Sequence, residues 1–588
     1  MNWRTSSQRS WLLAFTISLI TALAIISPFC WKGTASGHDF SFHAASWMDA
    51  AAQWRDGILL PRWTEGANHG FGEPRFIFYP PLSWTLGAAL SFLVPWIYVP
   101  AVFIVLTQTL AGLAAFALGR RLFALPGALL CAAVYSANPY ALLIVYMRSD
   151  FAEQLAMVFF PLMLLATLRL MGSLGNPAGS TLRNVAFLSI VYAAAWLCNA
   201  PAAVLASYSL AALFVSSAIT SRSWRPLLQG GASVALGLGL AGFYLAPAIH
   251  EQKWVNITQA LASGLQPSQN FLYAVIADAE HNAFNRIASS TAVLVIALTA
   301  IFAAMTYPRD SKEHVHRVSK PVWTMLAILL AISAFLMLRV SNILWIALPK
   351  LRFVQFPWRW MSILAVPFAC LFAAAMSRSK MRWYWSALGT AALAVLLAGT
   401  ATWMVRHTWW DTEDIPELLE AIQNDEGFEG VDEYDPAGDD HSDLPEKYPR
   451  MKLLHVAPSS SVVSGARVHV ERWSAEQKEM RVASREPARL ALRLLNYPGW
   501  RVEVNDNVIA PERMEGSGQI IVPLASGQSH IVVHFVRTND RTVGAVVTVL
   551  SILILVILLV TRPRDTRRIA VSGDLPWDAE RPAPARCR

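Results

Sequence analysis

Charge is scarce in this chain. Only 15% of its 588 residues are Asp, Glu, Lys or Arg, while 55% are hydrophobic. A soluble globular protein carries roughly a quarter charged residues, so the balance of the whole chain points to a polytopic membrane protein. Cysteine is scarcer still, at five residues. Cys131, Cys198 and Cys370 lie in apolar runs, Cys30 at a membrane edge and Cys587 in the tail. No disulfide framework is encoded, and each thiol reads as a small hydrophobe. The chain has no internal repeat, no P-loop, no G-x-G-x-x-G after a strand, no H-E-x-x-H and no C-x-x-C pair. Those absences argue against an ATP-driven pump and against a transferase that uses a soluble nucleotide sugar. The net charge of +8 is then read as cytoplasmic anchoring charge rather than a nucleic-acid footprint, and no nucleic-acid partner is expected.

What is present is a punctuated series of apolar runs. The first, Trp11 to Phe29, follows Arg4 and Arg9 and lacks small residues at a cleavage site, so it reads as a retained signal anchor. Lys/Arg clusters recur at Arg120-Arg121, Arg169/Arg183, Arg222/Arg225, Arg309 to Lys320, Arg378 to Arg382 and Arg562 to Arg568. If each marks a cytoplasmic loop, the apolar runs between them pair as 123–140 with 153–170, 184–199 with 201–219, 226–247 with 289–306, 322–340 with 358–377, and 384–404 with 542–561. Two runs, 81–94 and 100–118, compete for one further crossing; the earlier is short and bracketed by Pro80, Pro81 and Pro95, which suits a re-entrant or interfacial segment. About twelve spans result, with both termini cytoplasmic.

This topology places 30–80, 146–153, 248–288, 341–357 and 405–541 outside. The first of these holds Ser36-Gly-His-Asp-Phe-Ser-Phe-His43, an Asp flanked by two His at a membrane exit, where ionisable residues usually bind a polar ligand or do chemistry. Arg148, Lys253, Lys350, Arg352 and Arg359 lie outside against the positive-inside trend. Cations so placed pair either with a lipid phosphate or, more locally, with Asp150, Glu153 or Glu251. Residues 411–447 are acidic and rich in turn formers and read as irregular. Beyond them, period-two runs at 467–470, 480–482, 489–494, 500–504, 520–522 and 530–535 argue for a small antiparallel β-sandwich. Such a domain either binds glycan or caps the mouth. Asn256-Ile-Thr258 fits a glycosylation sequon, a short match of no weight by itself. The expected organisation is thus a transmembrane domain 1–404, an extracytoplasmic domain 405–541, a last helix 542–561 and a basic cytoplasmic tail 562–588.

The arrangement resembles the GT-C superfamily of membrane glycosyltransferases, which take sugars from polyprenyl-phosphate carriers at the outer membrane face. In that family an Asp follows the first transmembrane helix, in a large loop beside short amphipathic helices. Asp39 fills that place, and Ala44 to Trp54 looks like such a helix. A second acidic pair is implied in the next external loop, where Tyr146 to Gln154 offers Arg148, Asp150 and Glu153. More narrowly, the chain resembles bacterial membrane proteins labelled "6-pyruvoyl-tetrahydropterin synthase-related" and their YfhO-like relatives. The matching stretches are 37–43, Pro61-Arg-Trp63, 148–153, 243–251, Gln355-Phe-Pro-Trp-Arg359, Glu433-Tyr-Asp-Pro436 and Tyr497-Pro-Gly-Trp500. The label implies nothing about pterins, and no pterin-synthase fold or zinc triad is evident.

The resemblance implies a multi-pass protein of the bacterial plasma membrane that transfers a sugar from a polyprenyl-phosphate donor to a cell-envelope acceptor. That chemistry needs a base, cations on the leaving phosphate and a polar sugar pocket. Asp39, Asp150 and Glu153 are the expected catalytic carboxylates, with Asp39 as base, although Asp is also a favoured helix N-cap. His38, His43, Arg62, Arg148, Arg352 and Arg359 are the expected donor-binding residues. Asp39, Asp150 and Glu153 together offer an all-oxygen set that would suit Mg²⁺ or Mn²⁺. The spacing of His38 and His43 does not suit zinc. Arg352 and Arg359 flank Phe353-Val-Gln-Phe-Pro-Trp358, which suits either a lipid phosphate or an interfacial anchor. A transporter or flippase for lipid-linked glycans, or a non-catalytic assembly protein, is the alternative reading; a transporter should carry ionisable residues near the bilayer midplane, often with repeat symmetry.

Overall fold

The computed structural model describes residues 3–174, 181–308, 318–377, 382–438, 441, 444–456 and 466–561. The tail 562–588 with Cys587, residues 309–317 and 378–381 of two basic clusters, and the Arg4 side chain lie outside the described residues. Among the described residues, ten helices are long and apolar enough to cross a bilayer. Two bent helix pairs raise the number to twelve if each pair is one crossing. Every expected crossing has its helix or bent pair. The proline-bracketed run 81–94 forms the helix Pro81–Ser91, 11 residues long. At 1.5 Å per residue that is about 16 Å, too short for a hydrocarbon core of about 30 Å.

Two crossings differ from expectation in shape. The run 226–247 is two helices, Arg225–Leu240 and Gly242–Trp254, bent by 78°. The break falls at Ala241, which has left helical geometry (φ −89°, ψ 7°). The run 322–340 is likewise Lys320–Leu336 followed by Arg339–Ala347, bent by 88°. Its second arm buries Trp345 and leaves Val340, Ile343 and Ile346 exposed.

The five segments expected on one side of the membrane do meet one another. Strand β1 (Thr34–Ala35) pairs with β2 (Trp410–Asp411). Asp39 N donates to the Arg148 carbonyl at 2.8 Å. Gln355 Nε2 donates to the Ala260 carbonyl at 2.8 Å, and Val431 N to Glu73 Oε2 at 2.9 Å. The acidic segment is more ordered than its composition suggests, because Asp414–Gln423 is a helix. Ile415, Leu418, Leu419 and Ile422 recur at helical spacing on it and pack against the main core. That period was present beneath the acidic composition.

The C-terminal region is two antiparallel sheets. One has the order β3 (Met451–His455), β6 (Ala488–Leu495), β10 (Gln519–Leu524), β9 (Glu512–Arg513). The other runs β4 (Arg467–Ser474), β5 (Gln477–Ser484), β11 (Gly527–Phe535), β7 (Trp500–Val504), β8 (Asn507–Ile509). All six alternating runs lie in strands. Leu490, Leu492 and Val522 of one sheet share a core with Met480, Val502 and Val533 of the other, which makes the pair a sandwich. Trp63, Phe71, Ile77 and Phe78 of the first loop join that same core. The loop and the sandwich are therefore one hydrophobic body.

A buried ion pair closes the joint to the last helix. Arg541 Nε and a terminal guanidinium nitrogen each donate to one oxygen of Glu251 at 2.9 Å, and Tyr497 Oη donates to Glu251 Oε2 at 2.6 Å. Beside it the chain crosses closely, since a Cβ on Gly544 would come within 2.6 Å of the Gly242 carbonyl oxygen. Stripping one member from a buried pair leaves an uncompensated charge and costs about 3–5 kcal/mol. Arg541→Ala is therefore expected to lower the thermal midpoint in detergent and to speed hydrogen exchange in β7 and β11. An unchanged midpoint would show that the pair does not hold the joint.

Candidate active site

Local backbone geometry builds the mouth. Helix Phe40–Arg55 starts at Asp39 and helix Phe151–Met157 at Asp150, yet the two carboxylates behave differently. Asp150 Oδ1 accepts from Glu153 N at 2.8 Å, an ordinary N-cap. Asp39 makes no side-chain cap; its carboxylate turns instead to the Arg148 guanidinium at 2.6 Å. The capping reading thus falls on Asp150 and not on Asp39. Arg148 ends a widened π turn, Ile144–Arg148, and Ser149 follows in the left-handed region at φ +54°. Gly37 lies so close beneath that a Cβ there would sit 2.5 Å from the Arg148 carbonyl carbon. Only glycine allows this approach of the loop.

Arg148 is the hub. It reaches Asp39 Oδ2 at 2.6 Å, Glu153 Oε2 at 2.9 Å and Asp150 Oδ2 at 3.2 Å. Arg359 approaches Asp150 Oδ2 and Glu153 Oε2, each at 3.3 Å. Tyr140 Oη donates to Glu153 Oε1 at 2.7 Å. His43 Nε2 stands 3.7 Å from Asp150 Oδ1 and has no hydrogen-bond partner. The guanidinium of Arg148 also lies over Trp358 at 5.2 Å, and that of Arg359 over Phe356 at 5.2 Å. Asp150, Glu153, Arg148 and Arg359 are buried, whereas the Asp39 side chain is 35% exposed. Three carboxyl groups thus face two guanidinium groups in this cluster. Asp39 is its exposed end.

The other expected residues are placed differently. His38 stands at the rim with its ring edge against Phe284 at 4.6 Å. Burial holds its pKa below the usual histidine value, with the Asp39 charge pulling the other way. Arg62 is not part of this cluster; it pairs with Glu476 and donates to the Phe535 carbonyl at 3.2 Å, tying the loop to the sandwich. Arg352 is exposed and stacks on Phe353, as does Lys350, which also reaches Gln252 Oε1 at 3.0 Å. Arg148 and Arg359 thus take the local partners Asp150 and Glu153, leaving Lys350, Arg352 and Lys253 as the exposed cations. Sequence reasoning missed Tyr140, for which no signal stood out.

The three mouth carboxylates do not suit a divalent ion, because guanidinium groups already fill the space among their oxygens. Among the described residues, the grouping close enough to share an ion is Glu471, Glu479 and His530 on the sandwich. There Arg481 pairs with Glu471 at 2.7 Å and His530 with Glu479 at 3.0 Å. An open depression of about 820 Å³ adjoins it, lined by Arg467, His469, Arg481, Asn505 and Gln528 among others.

Fold and site together define a multi-pass helical membrane protein with a buried ionic lattice at the mouth beneath a β-sandwich. Solved structures similar to it include these three. Two are of the mycobacterial arabinofuranosyltransferase AftD, at 16% and 15% identity with TM-scores of 0.44 and 0.41; each covers 71% of this chain, but 30% and 29% of AftD. The third is the oligosaccharyltransferase AglB from Archaeoglobus fulgidus, solved with an inhibitory peptide and a dolichol-phosphate, at 12% identity with a TM-score of 0.31, covering 69% of this chain and 56% of AglB. The chain spans less than a third of AftD and little more than half of AglB. No protein-family model matches the sequence, and no curated protein matches it.

The lattice separates structural from exposed charge. Arg148→Ala leaves three carboxylates on one guanidinium and is expected to cost about 3–5 kcal/mol. Asp39→Asn removes only the half-exposed end and is expected to cost about 1 kcal/mol or less. Thermal unfolding of the two variants in the same detergent checks the contrast; equal losses would make Asp39 structural.

Proposed function

We propose that the chain is a membrane glycosyltransferase of the GT-C type, taking a sugar from a polyprenyl-phosphate carrier. The observation that carries this reading is Asp39, presented half-exposed at the mouth by a buried lattice in which it is the one carboxylate not enclosed. Donor transfer is a displacement at the anomeric carbon. An acceptor hydroxyl oxygen bonds to that carbon, and the bond to the phosphate oxygen breaks with its electron pair leaving on the lipid phosphate. The carbon passes through an oxocarbenium-like state, which nearby carboxylate charge stabilises. Asp39, paired with Arg148 at 2.6 Å, supplies that charge and, as the base, takes the acceptor hydroxyl's proton as the new bond forms.

The leaving phosphate needs cations that are not already paired with carboxylates. Lys350, Arg352 and Lys253 meet that need; the first two follow the helical arm Arg339–Ala347, whose exposed Val340, Ile343 and Ile346 suit an apolar lipid tail. The basic clusters at the opposite helix ends, such as Arg120-Arg121 at the end of the helix Val99–Leu122, support a cytoplasmic placement for those ends. The mouth and sandwich would then be extracytoplasmic in a bacterial plasma membrane, with a cell-envelope acceptor. The narrower kinship with YfhO-like and pterin-synthase-related membrane proteins is part of the same proposal.

Purified protein in nanodiscs, offered a panel of polyprenyl-phosphate sugars, tests the reading. Transfer is expected with at least one donor, and Asp39→Asn is expected to reduce kcat by about 10²–10⁴-fold with the fold retained. Arg352→Ala is expected to raise the donor KM while leaving kcat nearly unchanged. Movement of lipid-linked glycan across the bilayer without any transfer would replace the enzyme by a flippase.

A further inference from the structure

The outer face of the five-stranded sheet carries a charge arrangement that its backbone imposes. Strands β4, β5 and β11 are neighbours there. Val470 pairs with Met480 and Arg472 with Glu479, so Glu471 is the extra residue of a β-bulge. A bulge re-aims its extra side chain, and here it brings the Glu471 carboxylate beside that of Glu479. His530 of β11 stands diagonally across from Glu479, because His530 pairs with Arg481 and Val532 with Glu479. Met480 and Val482 belong to the sandwich core, which leaves Glu479 and Arg481 to the outer face. Like charges set side by side on one sheet face destabilise it unless a cation lies between them. Arg481 answers half of that need: its Nε lies 2.7 Å from Glu471 Oε1. The other oxygen, Oε2, stands 3.9 Å from His530 Nε2, and the same nitrogen is 3.0 Å from Glu479 Oε1. One ligand atom from each of the three residues thus gathers within 4.8 Å of the others.

We propose that Glu471, Glu479 and His530 form a binding site for a divalent transition-metal ion, with Zn²⁺ the ion of best fit. Zinc holds imidazole nitrogen and carboxylate oxygen at about 2.0–2.2 Å, which in a tetrahedron sets neighbouring ligand atoms about 3.4 Å apart. The two separations from His530 Nε2 lie on either side of that value, so side-chain shifts of about half an ångström bring both to it. The Glu479–His530 contact needs a proton between oxygen and nitrogen, and the ion takes that proton's place. A nitrogen donor among the carboxylates favours zinc over magnesium.

The support around these ligands suits the task. Arg481 holds Glu471 through the oxygen that the ion does not use, an outer contact of the kind that orients metal ligands. Asn505 fixes the His530 backbone from both sides: His530 N donates to Asn505 Oδ1 at 2.8 Å, and Asn505 N donates to the His530 carbonyl at 2.8 Å. Three neighbouring strands of one sheet carry the ligands, so no loop has to close to assemble them. All three side chains are partly exposed. The open depression beside them gives an ion its path in and leaves its fourth position to water or to an anionic oxygen.

Zinc binding by the full chain in nanodiscs tests this, and it needs no sugar donor, so its outcome is independent of the transferase reading. After treatment with a chelator, the wild type should take up one equivalent of ZnCl₂ in a calorimetric titration, and excess Mg²⁺ should not displace it. X-ray absorption at the zinc edge should show one imidazole nitrogen and carboxylate oxygens at about 2.0–2.2 Å. Glu479→Gln and His530→Gln should each weaken the affinity by more than the roughly 10–100-fold that loss of an outer contact costs. Neither side chain enters the sandwich core, so both variants should unfold at the wild-type temperature without zinc. Added zinc should raise the wild-type midpoint and leave theirs in place. If one variant fails to fold, the other carries the comparison. A wild type that takes up no zinc overturns the proposal, as does a folded variant that binds zinc as tightly as the wild type.

Discussion

Three carboxylates converge on one buried guanidinium, and most of the mouth follows from that constraint. Ionised groups removed from water must be paired and hydrogen-bonded or they cost several kcal/mol each. Arg148 meets Asp39, Asp150 and Glu153 within 3.2 Å. To do so it needs the π turn that precedes it, the left-handed Ser149 and a glycine beneath. Arg359 and Tyr140 complete the lattice from two other helices. One ion-pair system thus fixes four chain segments at once, and the loop after the first helix has little freedom to lie elsewhere.

A second constraint is the shared core of loop and sandwich. Trp63 packs edge-on against Trp500 at 5.3 Å and lies 5.9 Å from Tyr497. Arg62 adds its pair with Glu476, and Arg541 grips Glu251 under Tyr497. Contacts of this kind bind the sandwich to the loop that carries Asp39.

Much of this was legible beforehand, for physical reasons. Hydropathy and charge punctuation marked every crossing because a bilayer demands length and apolarity whatever the tertiary packing. Period two marked the main strands because each sheet buries one face. The bends at Ala241 and between Leu336 and Arg339 were not legible, since both arms stay apolar and hydropathy carries no direction. Asp39, Arg148, Asp150, Glu153 and Arg359 could be singled out, but not the lattice; which cation meets which anion is decided by tertiary approach. Arg62 shows the cost of that gap. It sits in the same loop as Asp39, yet its partner is 414 residues away.

That separation of 414 residues has a consequence for biosynthesis. Trp63, Phe71 and Phe78 leave the ribosome early, while the strands that cover them come last. At about 5–20 residues per second, the loop waits roughly 20–80 s with its aromatic side chains uncovered. A nascent chain in that state has several apolar helices inserted and an unfinished hydrophobic surface beside them. A holdase acting at the emerging loop, or lipid contact by the loop itself, would bridge the interval. Premature termination before β4 would leave a protein anchored in the bilayer and unable to complete its own mouth.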